Sequence, residues 1–87
     1  MAKQVIKFYA NWCGPCKIYG PTFERVKQDL KDVIEFTEVN VEEDPENLSG
    51  EYKVKGIPFT VLLEDGELKK SQSGRMGEQE LKQFILN

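Results

Sequence analysis

The chain has 87 residues, of which 39% are hydrophobic and 31% are charged, a balance typical of a folded globular protein. This length predicts one domain, residues 1–87, with a small hydrophobic core. The net charge of −3 and the lack of long basic runs give no reason to expect a nucleic-acid partner. No apolar stretch is long enough to cross a bilayer, so we expect no membrane association. The N-terminus runs into a strand pattern without a visible signal peptide, which predicts cytoplasmic residence.

The first half of the chain alternates between strand and helix patterns. Gln4 to Ala10 is rich in β-branched and aromatic side chains and predicts a strand. An apolar stripe then predicts a helix, and it consists of Tyr19, Phe23, Val26 and Leu30. Pro21 lies within this helix, where we expect it to remove one backbone hydrogen bond and kink the axis. Ile34 to Val41 predicts the second strand.

The second half begins with a turn-rich segment. Asp44-Pro45 predicts the start of a short helix that ends near Gly50, with Asp44 as N-cap and proline in the first helical position. The continuous apolar run from Phe59 to Leu63 predicts a central strand.

A hairpin and a last helix complete the predicted architecture. Asp65-Gly66 predicts a tight turn, and Leu68 to Ser73 follows it as a more polar return strand. The final helix is expected to bury Leu81, Phe84 and Ile85. Two strands joined through a helix run parallel, whereas a hairpin adds antiparallel strands. The sequence therefore predicts an α/β fold with a four-stranded mixed sheet flanked by helices on both faces.

Both cysteines lie in one short motif, Trp12-Cys13-Gly14-Pro15-Cys16, between the first strand and the first helix. At the first turn of a helix, free backbone N–H groups and the helix dipole favour a thiolate, so Cys13 is the expected nucleophile. Cys16 follows one turn later on the same face, where it can close a disulfide with Cys13. We expect it to be the less exposed, resolving thiol. The motif therefore predicts thiol–disulfide exchange.

Two other roles for the cysteine pair are weaker. A disulfide that closes so short a loop removes little entropy from the unfolded chain, so it would add little to the stability of the fold. A closed zinc site needs four ligands, and the chain has no histidine and no second cysteine pair. We therefore expect no metal. Trp12 either packs against the fold or borders a binding surface beside Cys13.

The motif residues resemble those of a known family. Trp12-Cys13-Gly14-Pro15-Cys16-Lys17 is similar to the active-site signature of thioredoxins, and Gly56-Ile57-Pro58 resembles their second signature. Further matches follow in the expected order, namely Pro21, Asp44-Pro45, Asp65-Gly66-Glu67 and Gly74. The first strand and helix of the full-length family have no counterpart, so the chain resembles a short, N-terminally trimmed thioredoxin.

This resemblance implies the fold and the client-binding residues. It implies a thioredoxin-like fold with a cis peptide between Ile57 and Pro58, facing the cysteines. In the family, the backbone of the residue before this proline pairs with an extended client segment, which is a sequence-tolerant mode of binding. A shallow apolar rim around Cys13 is expected from Trp12, Gly14, Pro15, Ile57, Pro58 and Gly74.

The resemblance also implies the reaction and its partners. The expected function is reduction of protein disulfides by a monomer without a bound cofactor. The redox-active disulfide Cys13–Cys16 would be recycled by a flavin-dependent thioredoxin reductase that uses NADPH, or by an equivalent donor such as a glutaredoxin-like system. Disulfide-containing proteins are the expected clients. The alternatives are a specialised donor to one target such as ribonucleotide reductase or a peroxiredoxin, a disulfide oxidase or isomerase, and a binding module without redox activity.

One pair of residues departs from the family pattern. Thioredoxins usually have a buried aspartate before the cysteine motif, paired with a lysine on the neighbouring strand, whereas this chain has Lys7 and Glu38 there. Strand alternation predicts that both side chains lie on the same face of the sheet. We hypothesise that Glu38 or neutral Lys7 transfers protons near Cys16, and that a Lys7 ammonium lowers the pKa of the thiol. The alternative is a solvated ion pair without a redox role.

Overall fold

A computed structural model describes residues 2–87 as one four-stranded mixed sheet with three helices. The strands lie side by side in the order β2-β1-β3-β4, with β1 parallel to β2 and the other pairs antiparallel. This confirms the predicted α/β sheet. No helix in this part of the chain is both long and apolar enough to cross a membrane. The elements are β1 Lys3–Tyr9, α1 Gly14–Leu30, β2 Ile34–Asn40, α2 Leu48–Glu51, β3 Phe59–Glu64, β4 Glu67–Ser73 and α3 Glu78–Leu86.

The core has two layers because the central strands β1 and β3 are covered on both faces. Successive strand side chains point to opposite faces, so an apolar run in a central strand feeds both layers. One layer packs under α1 and α3 and includes Val5, Tyr19, Phe23, Leu62, Leu81 and Ile85. The other layer packs toward α2 and includes Ile6, Phe8, Val61 and Leu63. Helical segments therefore cover both faces, as predicted.

The register of β1 decides which of its side chains face α1. Lys7 pairs with Glu38 on β2 and with Thr60 on β3. Val5 and Lys7 therefore lie on the face that α1 covers, one above the other. A shift of one residue would turn Lys7 to the opposite layer, since side chains alternate along a strand.

The helix α1 begins immediately after the loop that leaves β1. Cys13 is its N-cap, and the Cys13 Sγ accepts a hydrogen bond from the Cys16 N–H at 3.2 Å. Proline in the first turn suits this position because a first-turn N–H has no helical partner. The helix continues past Pro21 to Leu30. The kink expected at Pro21 stays a prediction.

The predicted start of α2 is wrong. Asp44-Pro45 forms a turn, in which the Asn47 N–H donates to the Asp44 carbonyl at 2.9 Å, and the helix begins only at Leu48. The Asp44 carboxylate still caps this helix from a distance, because it accepts from the N–H groups of Leu48 at 2.9 Å and Ser49 at 2.8 Å. The bonds from Ser49 hold the pKa of Asp44 below its usual value.

A buried hydrogen bond fixes α1 to the sheet and offers a test of the packing. The Tyr19 hydroxyl lies 2.8 Å from Thr60 Oγ1, and the two residues are 1% and 0% exposed. Burial raises the pKa of Tyr19 to about 12, so the phenol stays protonated over the ordinary pH range. Tyr19→Phe leaves the Thr60 hydroxyl buried without this partner, and we expect the free energy of unfolding to fall by about 1–3 kcal/mol in urea denaturation.

The control is the double variant Tyr19→Phe, Thr60→Val, which removes both hydroxyls. It should lose less stability than the sum of the two single variants, because no polar group is then left unpaired. Strictly additive losses would show that the hydrogen bond contributes nothing to the attachment of α1.

Candidate functional site

The two cysteines lie just beyond the carboxyl end of β1, at the first turn of α1. They form a disulfide whose Cα atoms are 5.2 Å apart. The expectation that Cys16 is less exposed than Cys13 is wrong for this oxidised state, since both are 5% exposed. The reason is packing: bonded to one another, they form a small cluster with Ala10, against which Ile57 and Val41 also lie.

The surroundings of Cys13 favour negative charge on its sulfur. The Cys16 N–H already donates to Cys13 Sγ, and the first turn of α1 contains no acidic residue. The free N–H groups and the dipole at a helix N-terminus stabilise a thiolate over a thiol. Gly14 leaves the space above the motif open, because a Cβ at this position would meet no atom within 4 Å. The geometry suits a nucleophile that an incoming disulfide can approach.

A second loop lies against the cysteines and holds two of the predicted rim residues, Ile57 and Pro58, and a hydrogen bond joins this loop to the third, Gly74, which follows β4. The peptide bond between Ile57 and Pro58 is cis, which confirms that expectation. The Ile57 carbonyl oxygen lies 3.8 Å from Cys13 Sγ. The Gly74 N–H donates to the Pro58 carbonyl at 2.8 Å, and the φ of +90° at Gly74 is one that favours glycine. The structure therefore places Ile57 beside Cys13, with Pro58 next to it in the same loop and Gly74 bonded to that loop.

The rim residues differ in how much surface they offer. Trp12, Gly14 and Pro15 are exposed, and Ile57 and Gly74 are half-buried. Pro58 is almost fully buried, so its ring lies beneath the surface and does not form part of the rim. A mainly apolar groove of about 410 Å³ runs beside the motif and is lined by Trp12, Val41, Ser49, Val54, Lys55, Gly56 and Ile57.

Trp12 is 66% exposed, yet its indole is held in place by a residue that the sequence reasoning missed. The Trp12 Nε1–H donates to Glu42 Oε2 at 2.9 Å. Glu42 follows β2 and its N–H is itself bonded to the Asn40 side chain at 2.9 Å. Nothing in the local pattern signals this contact, because the partners are 30 residues apart and meet only when β1 and β2 pair.

The ion pair of Lys7 and Glu38 lies on the face of the sheet that α1 covers. Lys7 is 4% exposed, and its Nζ is 3.7 Å from Glu38 Oε1, whereas the Glu38 side chain is 38% exposed. Burial lowers the pKa of Lys7, and the nearby Glu38 carboxylate offsets part of that effect. The pair is therefore neither fully solvated nor fully buried, because the lysine is buried and the carboxylate is exposed to solvent.

Lys7 and Cys16 share one groove. It has a volume of about 240 Å³ and is lined by Lys7, Tyr9, Ala10, Asn11, Cys16, Lys17 and Gly20. The Lys7 amine thus lies on the same side of α1 as the second cysteine. Within residues 2–87, no three histidine, cysteine, aspartate or glutamate side chains cluster as metal ligands would.

Comparison with known proteins gives a consistent result. The thioredoxin family model matches residues 1–87. The chain is 45% identical to a thioredoxin of Mycoplasmoides gallisepticum over 84 residues, which are 95% of this chain and 81% of that protein. It is 37% identical to a thioredoxin of Mycoplasma pneumoniae over 83 residues, which are 95% of this chain and 79% of that protein.

Solved structures agree in fold and in sequence. Mitochondrial thioredoxin 3 of Saccharomyces cerevisiae, in its oxidised form, matches with a TM-score of 0.85 and 35% identity over 95% of this chain and 76% of its own. Fasciola hepatica thioredoxin matches with a TM-score of 0.87 and 31% identity over 97% of this chain and 78% of its own. With a disulfide between Cys13 and Cys16 at the site, the chain belongs to the thioredoxin family and is a thiol–disulfide oxidoreductase.

Proposed function

We propose that the protein reduces disulfides of other proteins, with Cys13 as the nucleophile and Cys16 as the resolving thiol. The position of Cys13 Sγ as the N-cap of α1, where it accepts the Cys16 N–H at 3.2 Å, carries this proposal. Hydrogen bonding and the helix dipole both stabilise a thiolate at this sulfur. Cys13 also lies beside the Ile57 loop and the open space above Gly14, from which a client can approach.

The reaction moves two electrons to the client in two exchanges. The Cys13 thiolate attacks one client sulfur, the client S–S bond breaks, and the other client sulfur leaves as a thiolate. The Cys16 thiolate then attacks Cys13 Sγ in the mixed disulfide, which forms the Cys13–Cys16 bond and releases the second client thiolate. Each client thiolate takes up a proton, and the oxidised pair is the state that the structure contains.

The apolar groove beside Trp12 and Ile57 is the proposed client surface. An extended client segment can lie along it and hydrogen-bond with the backbone of Ile57, a mode of binding that tolerates many sequences. Gly14, Pro15 and Gly74 would border this segment, with Pro58 supporting the loop from below. Glu42 would hold the Trp12 indole at the edge of the groove.

Lys7 and Glu38 are the proposed proton relay for Cys16. A neutral Lys7 amine takes the proton of the Cys16 thiol, and the resulting ammonium then stabilises the Cys16 thiolate. Two observations support this path: Lys7 and Cys16 line the same groove, and Glu38 joins Lys7 to solvent. Because burial lowers the pKa of Lys7, the neutral amine is accessible at lower pH than for an exposed lysine.

We infer the cellular context from the family. Residues 1–87 would act as one monomeric domain in the cytoplasm, with no bound cofactor and with electrons supplied by a flavin reductase that uses NADPH, or by an equivalent donor. Disulfide-containing proteins in general would be the clients. The match of the thioredoxin family model to this chain supports the reductase and the disulfide-containing clients.

The two cysteine roles can be separated by trapping. We expect Cys16→Ser to attack a disulfide-bridged peptide and to accumulate the mixed disulfide, because no resolving thiol remains. Cys13→Ser should form at least 10-fold less adduct, since the sulfur at the N-cap is gone. Mass spectrometry of the quenched reaction measures the adduct. Equal trapping by both variants would contradict the assignment of Cys13 as the nucleophile.

The relay predicts a pH dependence for the resolving step. Release of peptide from a preformed mixed disulfide should accelerate as pH rises through the pKa of Lys7, which burial places below 10.5, because only the neutral amine accepts a proton. Lys7→Met should slow release on the order of 100-fold, a typical contribution of general-base catalysis. Glu38→Gln removes the carboxylate that favours the ammonium, so it should move the profile to lower pH.

Glu43→Gln is the matched control for Glu38→Gln. Glu43 is an exposed glutamate close to Glu38 in sequence, and it makes no ion pair with Lys7. Stopped-flow release assays over a range of pH values measure these profiles. An unchanged profile in Glu38→Gln would exclude Glu38 from the relay, and an unchanged rate in Lys7→Met would exclude Lys7.

The Trp12–Glu42 hydrogen bond gives a fluorescence test of the client surface. Glu42→Leu should free the indole, so the anisotropy of Trp12 should decay faster and client reduction should show a higher KM. Trp12 is the single tryptophan, which makes its emission a clean reporter. Glu43→Gln again serves as the control. Unchanged anisotropy in Glu42→Leu would show that the hydrogen bond does not hold the indole.

A further inference from the structure

The side-chain nitrogen of Lys7 lies close to two aromatic rings. Its Nζ is 5.0 Å from the ring centroid of Phe23 on α1 and 5.2 Å from that of Tyr9, two residues further along β1. Both distances are within the range at which a cation is attracted to the face of a ring. We propose that Tyr9 is a positioning residue for the redox site: Tyr9 and Phe23, the aromatic clamp, hold the Lys7 ammonium in the groove beside Cys16. The use of this clamp in catalysis rests on the proposed relay.

The clamp lowers the free-energy cost of a charged lysine that is only 4% exposed. A buried charge is costly unless other groups stabilise it. The carboxylate of Glu38 is 3.7 Å away, too far for a strong hydrogen bond, and its 38% exposure leaves it screened by water. Ring faces add attraction without needing solvation of their own, and attraction of this kind is strongest where water is excluded.

The groups around Lys7 act in opposite directions on its protonation. Burial favours the amine, whereas the carboxylates of Glu38 and Glu24 and the two rings favour the ammonium. The Tyr19 phenol, with a pKa of about 12, stays neutral over the ordinary pH range, and Cys16 is uncharged in the disulfide. The titratable or charged groups that face Lys7 or its groove are Glu38 on β2, Tyr9 on β1, and Cys16, Lys17, Tyr19 and Glu24 on α1.

Tyr9 is the ring that can be tested without disrupting the core. It is half-buried and lines the groove, whereas Phe23 is 0% exposed and also packs against Tyr19 and Phe36. A ring attracts the ammonium and not the neutral amine, so its removal should shift Lys7 toward the amine. The ring face is what matters, and Tyr9→Phe should therefore preserve the effect.

The direct test is an NMR titration of the Lys7 Nζ in the oxidised protein, where no thiol titrates. In Tyr9→Leu we expect the ratio of ammonium to amine at a given pH to fall about three- to tenfold. Tyr9→Phe should titrate like the wild type. Tyr52→Leu is the matched control, because Tyr52 is also half-buried but packs against Phe8 on the opposite face of the sheet.

The outcomes separate the clamp from the relay. An unchanged Lys7 titration in Tyr9→Leu, or an equal change in Tyr52→Leu, would overturn the clamp whatever the relay does. If Tyr9→Leu does not fold, Tyr9→Met removes the ring with less loss of volume and is read in the same way. A shifted titration supports the clamp. If the shift is present but the pH profile of the resolving step is the same in Tyr9→Leu and wild type, the clamp stands and the proposed relay is wrong.

Discussion

The junction between β1 and α1 is the constraint on which the redox site depends. The Cys13 N–H donates to the Ala10 carbonyl at 3.2 Å, and only the short loop 10–13 separates the end of β1 from the start of α1. That short connection makes Cys13 the N-cap and places Cys16 one turn further on, in the groove that Lys7 and Tyr9 of β1 also line. It also fixes which strand residues lie beneath the cysteines. The residues of this junction therefore determine both the position of the two cysteines and the strand side chains whose charges act on them.

A buried lysine in the groove beside Cys16 changes the electrostatic potential at the cysteines. A carboxylate at this position would repel a forming thiolate, whereas the Lys7 ammonium attracts one. Such a cation is costly to bury, and the fold offsets the cost with a partly exposed carboxylate on β2 and two aromatic rings. An ion pair with Glu38 is therefore not enough to bury a lysine at this position of β1. The other side chains around Lys7 must also stabilise a positive charge.

The sequence predicted the parts of the site that depend on local chemistry, and it missed those that depend on contacts between distant segments. Strand and helix patterns placed the cysteines at the start of α1, and the family resemblance implied the cis peptide before Pro58. The start of α2 was predicted wrongly, because the carboxylate of Asp44 reaches its amides across a turn instead of from the adjacent position. The role of Glu42 had no local signal at all. Strand alternation places Lys7 and Tyr9 on one face of β1, but the approach of Phe23 to Lys7 depends on how α1 packs over the sheet.

The proposed function requires that Cys13 and Cys16 work in the reducing direction, and the reduction potential of this pair decides whether they do. Equilibration with defined thiol–disulfide buffers at pH 7, followed by Trp12 fluorescence, reports the fraction of oxidised protein. We expect a value of about −270 mV, the reference value for thioredoxin. A value of about −120 mV, typical of strongly oxidising disulfide-forming enzymes, would contradict the reducing role and would mean that the protein forms disulfides in its clients.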